Sequence, residues 1–167
     1  GKTSQGASST AVGRRAGETE QGSSATAVGH LAGATGQGSS AVAVGIQAGQ
    51  TSQGHSATAV GLLAGRYNQS SRAVAVGRLA GQTSQGVAST AVGNQAGLTG
   101  QGNFGVAVGH VAGETGQGNN AIAVGREAGR TSQADNSIIL NASGSEFNTT
   151  TASSFHVKPV RGGNFAA

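Results

Sequence analysis

The chain has 167 residues, of which 31 are Gly and 1 is Pro, with no Cys, Met or Trp and only 3% aromatic residues. A globular core of this length draws on Leu, Ile, Phe, Met and Trp to reach near-crystalline density; here Ala and Val must do nearly all of the filling, which permits only a thin core. The 10 Lys and Arg against 6 Asp and Glu leave a formal charge of +4 with no basic run interleaved with stacking aromatics, which argues against a nucleic-acid surface, and the lack of Cys excludes a disulfide framework.

Gly1-Lys2-Thr3 mimics the end of a phosphate-binding loop, yet it fills the slots taken further on by Gly17-Glu18-Thr19, so it is a repeat unit that carries Lys. From there an Ala-Val-Gly tripeptide recurs with its glycine at Gly13, Gly29, Gly45, Gly61, Gly77, Gly93, Gly109 and Gly125, always sixteen residues apart. A second glycine follows each time behind Ala, from Gly17 to Gly129, and then Thr and Gln, as in Thr19 with Gln21. Such a period marks stacked units that cannot bury an apolar face alone. Sixteen residues are too few for a helical hairpin, whereas β-branched residues between closely spaced glycines suit one strand-turn-strand-turn coil. The spacing predicts an all-β fold, a parallel β-roll or β-helix solenoid over residues 1–141 in about nine coils. Each coil rises one strand spacing of about 4.8 Å, for a rod of roughly 40 Å.

Alternation places Thr10, Thr26 and Val42 on one strand face with Val12, Val28 and Val44, and Ala11, Ala27 and Ala43 on the other. Neither face reads as solvated. The roll's interior covers only one side, and the alanine row, whose small side chains let backbones approach closely, is expected to be sheltered by further copies of the chain about a closed symmetry axis. The Gln column is expected to form an amide ladder along the rod. Columns whose residues vary are expected to face water: the one running from Arg14 through Arg78 to Arg126, and the one running from Glu18 through Arg66 to Arg130.

One coil departs from the rest. Arg66-Tyr67-Asn68-Gln69-Ser70-Ser71-Arg72 puts the sole Tyr in the Thr slot and Ser70 in a Gly slot. A ring between two guanidinium groups suits stacking on a sugar and hydrogen-bonding to its hydroxyls. Arg66, Tyr67 and Arg72, with Arg78 and Arg126 of the variable column, are therefore the candidate ligand-binding residues, and an irregular turn is the plain alternative. In a degenerate ninth copy Ile138-Ile139-Leu140-Asn141 stand where Val, Ala, Val and Gly fall. The period then fails, and residues 142–167 hold Phe147, Phe155, Phe165 and Pro159. These aromatics are expected to form an irregular C-terminal cap over the last unpaired edge, with Pro159 where regular pairing has stopped.

Asn119-Asn120-Ala121-Ile122-Ala123-Val124-Gly125, and more weakly Asn136-Ser137-Ile138-Ile139-Leu140-Asn141, resemble the Asn-Ser-Val-Ala-Ile-Gly coils in the heads of YadA-like trimeric autotransporter adhesins. That resemblance implies a left-handed roll and a homotrimer, although sixteen residues is a longer period than those heads use. The tail Ser137-Ile138-Ile139-Leu140-Asn141-Ala142-Ser143-Gly144, followed by Phe155-His156-Val157-Lys158-Pro159-Val160-Arg161, makes the chain similar to surface fibre proteins of large algal viruses, the cell-wall attachment proteins of chlorella viruses among them, and of some phages. In those fibres such a tail precedes a self-cleaving chaperone. The resemblance implies a fragment of a longer virion-surface attachment protein that binds host cell-wall polysaccharide. The alternative is a purely structural trimeric shaft of a viral fibre or of a bacterial surface adhesin.

Other chemistry is not expected. Asp135 is the only Asp, so the calcium-binding nonapeptide solenoid fails, and sixteen is not divisible by the six of hexapeptide acyltransferases. His30 and His110 share a column but lie five coils apart, roughly 24 Å, too far to share a metal within one chain; copies of one His about a threefold axis would meet only if that column faced inward. No Ser-His-carboxylate set is suggested, so no enzyme, cofactor or metal is expected, and no apolar stretch approaches the ~20 residues of a membrane span. Asn68-Gln69-Ser70, Asn141-Ala142-Ser143 and Asn148-Thr149-Thr150 fit the N-glycosylation pattern, which polar turns also produce by chance. An ice-binding solenoid is a third reading, but it wants paired Thr columns where Thr and Gln columns alternate here.

Overall fold

The computed structural model describes residues 3–160. Its strands are β1 (Thr3–Gln5), β2 (Thr10–Val12), β3 (Thr19–Gln21), β4 (Thr26–Val28), β5 (Thr35–Gln37), β6 (Val42–Val44), β7 (Thr51–Gln53), β8 (Thr58–Val60), β9 (Tyr67–Gln69), β10 (Val74–Val76), β11 (Thr83–Gln85), β12 (Thr90–Val92), β13 (Val106–Val108), β14 (Ile122–Val124), β15 (Ile138–Asn141) and β16 (Phe155–Lys158). They fall into two parallel sheets, β1-β3-β5-β7-β9-β11 and β2-β4-β6-β8-β10-β12-β13-β14-β15-β16. The first sheet continues past β11 as single bridges from Thr83 to Thr99, Thr115 and Thr131. Pairing joins residues sixteen apart, such as Thr10 with Thr26 and Ala27 with Ala43. The chain is thus an all-β solenoid of stacked sixteen-residue coils, about ten turns in all. Ten strands in the larger sheet make a rod about 43 Å long.

Each coil turns because backbone geometry and small residues allow it. After the Val of the longer sheet, Gly61 takes φ +128. Its counterparts stack directly on one another, and a Cβ on Gly61 would stand 2.6 Å from the Gly77 carbonyl oxygen. At the next corner Gly65 has φ +51, and a Cβ there would collide with the Gln69 amide. That second glycine makes room for a glutamine inside the coil.

The middle residue of each Thr-x-Gln strand also lies in the left-handed region, at φ 54 for Ser52 and Asn68. This breaks simple alternation: Gln53 and Gln69 point inward and are buried, while Thr51 stays half-exposed.

Between the sheets each coil contributes little: in one coil the buried side chains are Ala41, Ala43, Ala48 and Gln53. Where Ser replaces an alanine, its hydroxyl bonds the nearby backbone, as Ser89 Oγ does to the Gly86 carbonyl at 2.8 Å. The expected face assignment is therefore corrected. The alanine row Ala27, Ala43, Ala59, Ala75 is fully buried in the chain's own interior, and no sister chain is needed to shelter it. The Thr/Val face looks outward, with Val12 56% and Val76 36% exposed. The space between the sheets fits methyl groups and flat amides but not a row of branched side chains.

The degenerate ninth copy stays in register, Ile122 on Ile138, Ala123 on Ile139 and Val124 on Leu140. The tail then does more than cap. It forms a further, irregular turn: Phe147 bridges to Ala128, Ala134 donates to the Thr149 carbonyl at 3.1 Å, and β16 lies on β15. Asn141 starts this turn, its Nδ2 donating to the carbonyls of Arg126 (2.8 Å) and Ser145 (2.6 Å). Of the three aromatics expected to form the cap, Phe147 packs on the core, Phe155 is 63% exposed on the outward face, and Phe165 lies outside the described residues. Pairing stops at Lys158, just before Pro159.

Candidate functional site

Tyr67 opens β9, and the left-handed Asn68 behind it sends Gln69 inward while the phenol ring stays half-exposed on the outside of the smaller sheet. Arg66 closes the preceding corner. Its Nε donates to Gln50 Oε1 one coil below at 2.8 Å, and its guanidinium lies 4.5 Å from the centre of the Tyr67 ring. One ring face is thus occupied by the protein's own cation, at a distance typical of a cation–π pair.

The other candidates are spread out. Arg72 is exposed with φ 61 on the corner between β9 and β10, opposite the edge that carries Arg66. Arg78 is exposed on the corner after β10, one coil above Arg66 and on the same edge. Arg126, three coils beyond Arg78 in one column, forms an ion pair with Glu127 at 2.7 Å. The five residues do not converge on one pocket. Arg66 and Tyr67 form a unit, and the rest mark two edges of the rod.

The Arg66 column repeats its cross-coil pairing near the end, where Arg130 Nε meets Glu114 at 2.8 Å and Nη1 meets Glu146 at 3.5 Å. The hydrogen bond that Arg130 donates to Glu114, and then the Glu114 charge, hold the Arg130 guanidinium above its ordinary value. In the His30 and His110 column, His30 is half-exposed and His110 exposed on the outer corner. Among the described residues no three His, Cys, Asp or Glu gather into a metal-binding group.

Inside the rod the glutamines form one continuous chain. Each Nε2 donates to the Oε1 of the next coil, from Gln5 to Gln21 (3.0 Å), Gln53 to Gln69 (3.1 Å) and Gln69 to Gln85 (3.0 Å), up to Gln117 to Gln133 (3.2 Å). The other amide hydrogen reaches across to the larger sheet, as from Gln69 to the Thr58 carbonyl at 2.8 Å. Among the described residues no buried side-chain nitrogen or oxygen lacks a partner. The expected ladder is present and, being internal, it ties the two sheets together.

Sequence reasoning missed an open notch of about 410 Å³ on the smaller sheet, with Gly36 at its floor and Glu20, Ser52 and His55 around it. The column through Gly36 reads Ser4, Glu20, Gly36, Ser52, Asn68, Ser84, Gly100, Gly116 and Ser132, so the glycine gave no distinctive signal. Also missed was an apolar hollow of about 370 Å³ at the end of the valine face, lined by Val124, Leu140, Val157 and Pro159.

Fold and surface together define a repeat solenoid with an internal glutamine ladder, one uncharged sheet face and edges of mixed character, where Arg72 and Arg78 are exposed alongside Ile46, Leu62 and Phe104. No family model, no curated protein and no solved structure matches the chain, so no comparison links it to trimeric adhesin heads or to algal virus fibres.

Proposed function

We propose that the chain is a non-enzymatic attachment segment of a surface fibre, a stiff rod that assembles with copies of itself and holds host cell-wall polysaccharide. The observation that carries this reading is the outward face of the larger sheet. On each of its ten strands the two outward positions, from Thr10 and Val12 to Phe155 and Val157, hold Thr, Val, Ile, Leu or Phe and never a charge. It is a strip about 43 Å long, continuous with the hollow at Leu140 and Val157. Uncharged apolar strips of that extent mark interaction surfaces.

The occupant is a second copy of this chain. A partner with the same rung spacing meets each Val or Thr with an equivalent side chain along the whole rod, and cyclic closure buries the strip in every subunit at once. Three is the number that the adhesin resemblance implies. This reading puts the chain on a virion surface, with a bacterial cell surface as the alternative source, and its partners are sister subunits and a host glycan.

Sedimentation velocity tests the assembly. The full chain is expected to run as a trimer, and Val76→Lys, which places a charge in the middle of the strip, is expected to run as a single chain, while Arg78→Ala on the corner leaves the trimer intact. A wild-type chain that runs singly overturns the assembly. For the glycan, the rod is expected to be retained on protein-free algal cell walls, with retention falling at least tenfold in Arg66→Ala/Tyr67→Ala. A wild-type rod that washes through removes the binding role.

One observation favours a purely structural shaft: the candidate arginines lie on different edges and do not converge. Unaltered retention in Arg66→Ala/Tyr67→Ala would move the binding role away from that coil.

A further inference from the structure

We infer that the notch at Gly36 is a sugar-binding site, and that together with Tyr67 it takes an extended β-1,4-linked polysaccharide lying along the rod axis. This rests on the glycan-binding reading above and names its site and ligand class.

The notch is not required by the fold. Gly36 has φ +66, but the same slot holds Glu20 at φ 56, Ser52 at φ 54 and Asn68 at φ 54, so a side chain is tolerated there. A Cβ on Gly36 would meet nothing nearer than 3.8 Å, in contrast to the stacked corner glycines. With glycine there the surface keeps a shallow, solvent-open depression of about 410 Å³, on which a sugar ring lies against the sheet without being enclosed by it.

The walls suit hydroxyl groups. Glu20 offers carboxylate acceptors, Ser52 a hydroxyl that donates and accepts, and His55 an imidazole, all three exposed. The glutamines beneath, Gln37 and Gln53, are buried and already bonded along the ladder, so they form a fixed floor. No Lys or Arg lines the notch, which disfavours phosphate, and no large apolar side chain does, which disfavours lipid.

The spacing selects the ligand. Thr35, beside Gly36, pairs with Thr51, and Thr51 pairs with Tyr67, so the notch and the Arg66–Tyr67 unit are two rungs apart on the same sheet. Two rungs are about 10 Å, and an extended β-1,4-linked chain advances by close to one sugar per rung. One sugar in the notch therefore brings its neighbours past Ser52 to the Tyr67 hydroxyl and the Arg66 guanidinium. An α-1,4-linked chain coils and does not stay in step with the rungs.

The test is calorimetric titration of the full chain with cellohexaose and chitohexaose, with maltohexaose as the coiled control. At least one linear hexasaccharide is expected to bind, at least tenfold more tightly than maltohexaose. Gly36→Gln, which fills the notch, and Ser52→Ala/His55→Ala, which strips its walls while keeping a Cβ at the left-handed Ser52 (φ 54), are each expected to weaken binding at least tenfold. Gly100→Gln, in the same column four coils beyond Gly36 and with no contact nearer than 4.0 Å for a Cβ, is expected to bind like wild type. Binding of neither linear hexasaccharide overturns the inference, and so does equal binding by the wall-stripped variant. If the rod is still retained on algal walls in those cases, the glycan-binding reading survives with its site elsewhere. Loss of both results removes the reading as well.

Discussion

Gln69→Leu is expected to lower the stability of the rod by about 2–6 kcal/mol, although leucine nearly matches glutamine in size and is far more apolar. The wild-type amide donates to the Thr58 carbonyl at 2.8 Å and to Gln85 Oε1 at 3.0 Å, and its oxygen accepts from Gln53 at 3.1 Å. Leucine takes the donor from the Thr58 carbonyl and Gln85 Oε1 in a site only 1% exposed, at about 1–3 kcal/mol for each buried group left unpaired, while the Gln53 amide keeps its bond to the Val42 carbonyl at 2.8 Å. A chain of aligned amides also loses mutual polarisation when it is cut in the middle. The matched control is Gln5→Leu. Gln5 is exposed at the first described rung and water can replace its amide, so its loss is expected to cost below about 1 kcal/mol. Equilibrium denaturation at fixed protein concentration measures both. Equal midpoints for Gln69→Leu and wild type would mean that the ladder contributes nothing.

Gly61→Ala is expected to be worse than its single methyl suggests, by about 3 kcal/mol or more. The position has φ +128, a region closed to L-residues, and the new Cβ would stand 2.6 Å from the Gly77 carbonyl oxygen of the next coil. Neither coil can move away without breaking the backbone bonds on either side, such as Gly61 N–H to the Val44 carbonyl at 2.8 Å. Gly36→Ala separates this effect from a general need for glycine: its φ of +66 is close to those of Ser52 (54) and Glu20 (56) in the same column, and its Cβ meets the Ser52 backbone only at an ordinary contact of 3.8 Å. That variant is expected to lose only about 1–2 kcal/mol, the ordinary cost of an L-residue in the left-handed region. Thermal denaturation of the pair decides the matter, and a Gly61→Ala chain as stable as Gly36→Ala would show that the stacked corners yield more easily than their geometry implies.

Much of the architecture was legible in the residues because a solenoid writes its geometry as a period. The sixteen-residue spacing of Gly13, Gly29 and Gly45 predicts the strand register, and the pairings of Thr10 with Thr26 and Val28 with Val44 follow it. The degenerate copy at Ile138–Asn141 and the glutamine ladder were legible for the same reason. The candidate site was legible only in part. Tyr67 stands out as the one break in the Thr column, and its pairing with Arg66 is between neighbours in sequence. The notch at Gly36 was hidden because glycine in a glycine-rich repeat carries no contrast, and its walls come from three successive coils.

By itself the sequence determined the period, the parallel stacking, the columns and the thinness of the core, since each depends only on which residue recurs at which interval. Tertiary structure alone decided which way the columns point. Alternation says that Ala27 and Val28 face opposite ways, but not which of them is inside; the narrow gap between the sheets admits alanine and excludes a row of valines. Alternation also fails at Ser52 and Asn68, where a left-handed residue turns the following glutamine inward. The tail needed the fold as well, because Phe147 and Phe155 join the stack by offsets that no longer follow the period, set by where the chain could still hydrogen-bond to the rung beneath.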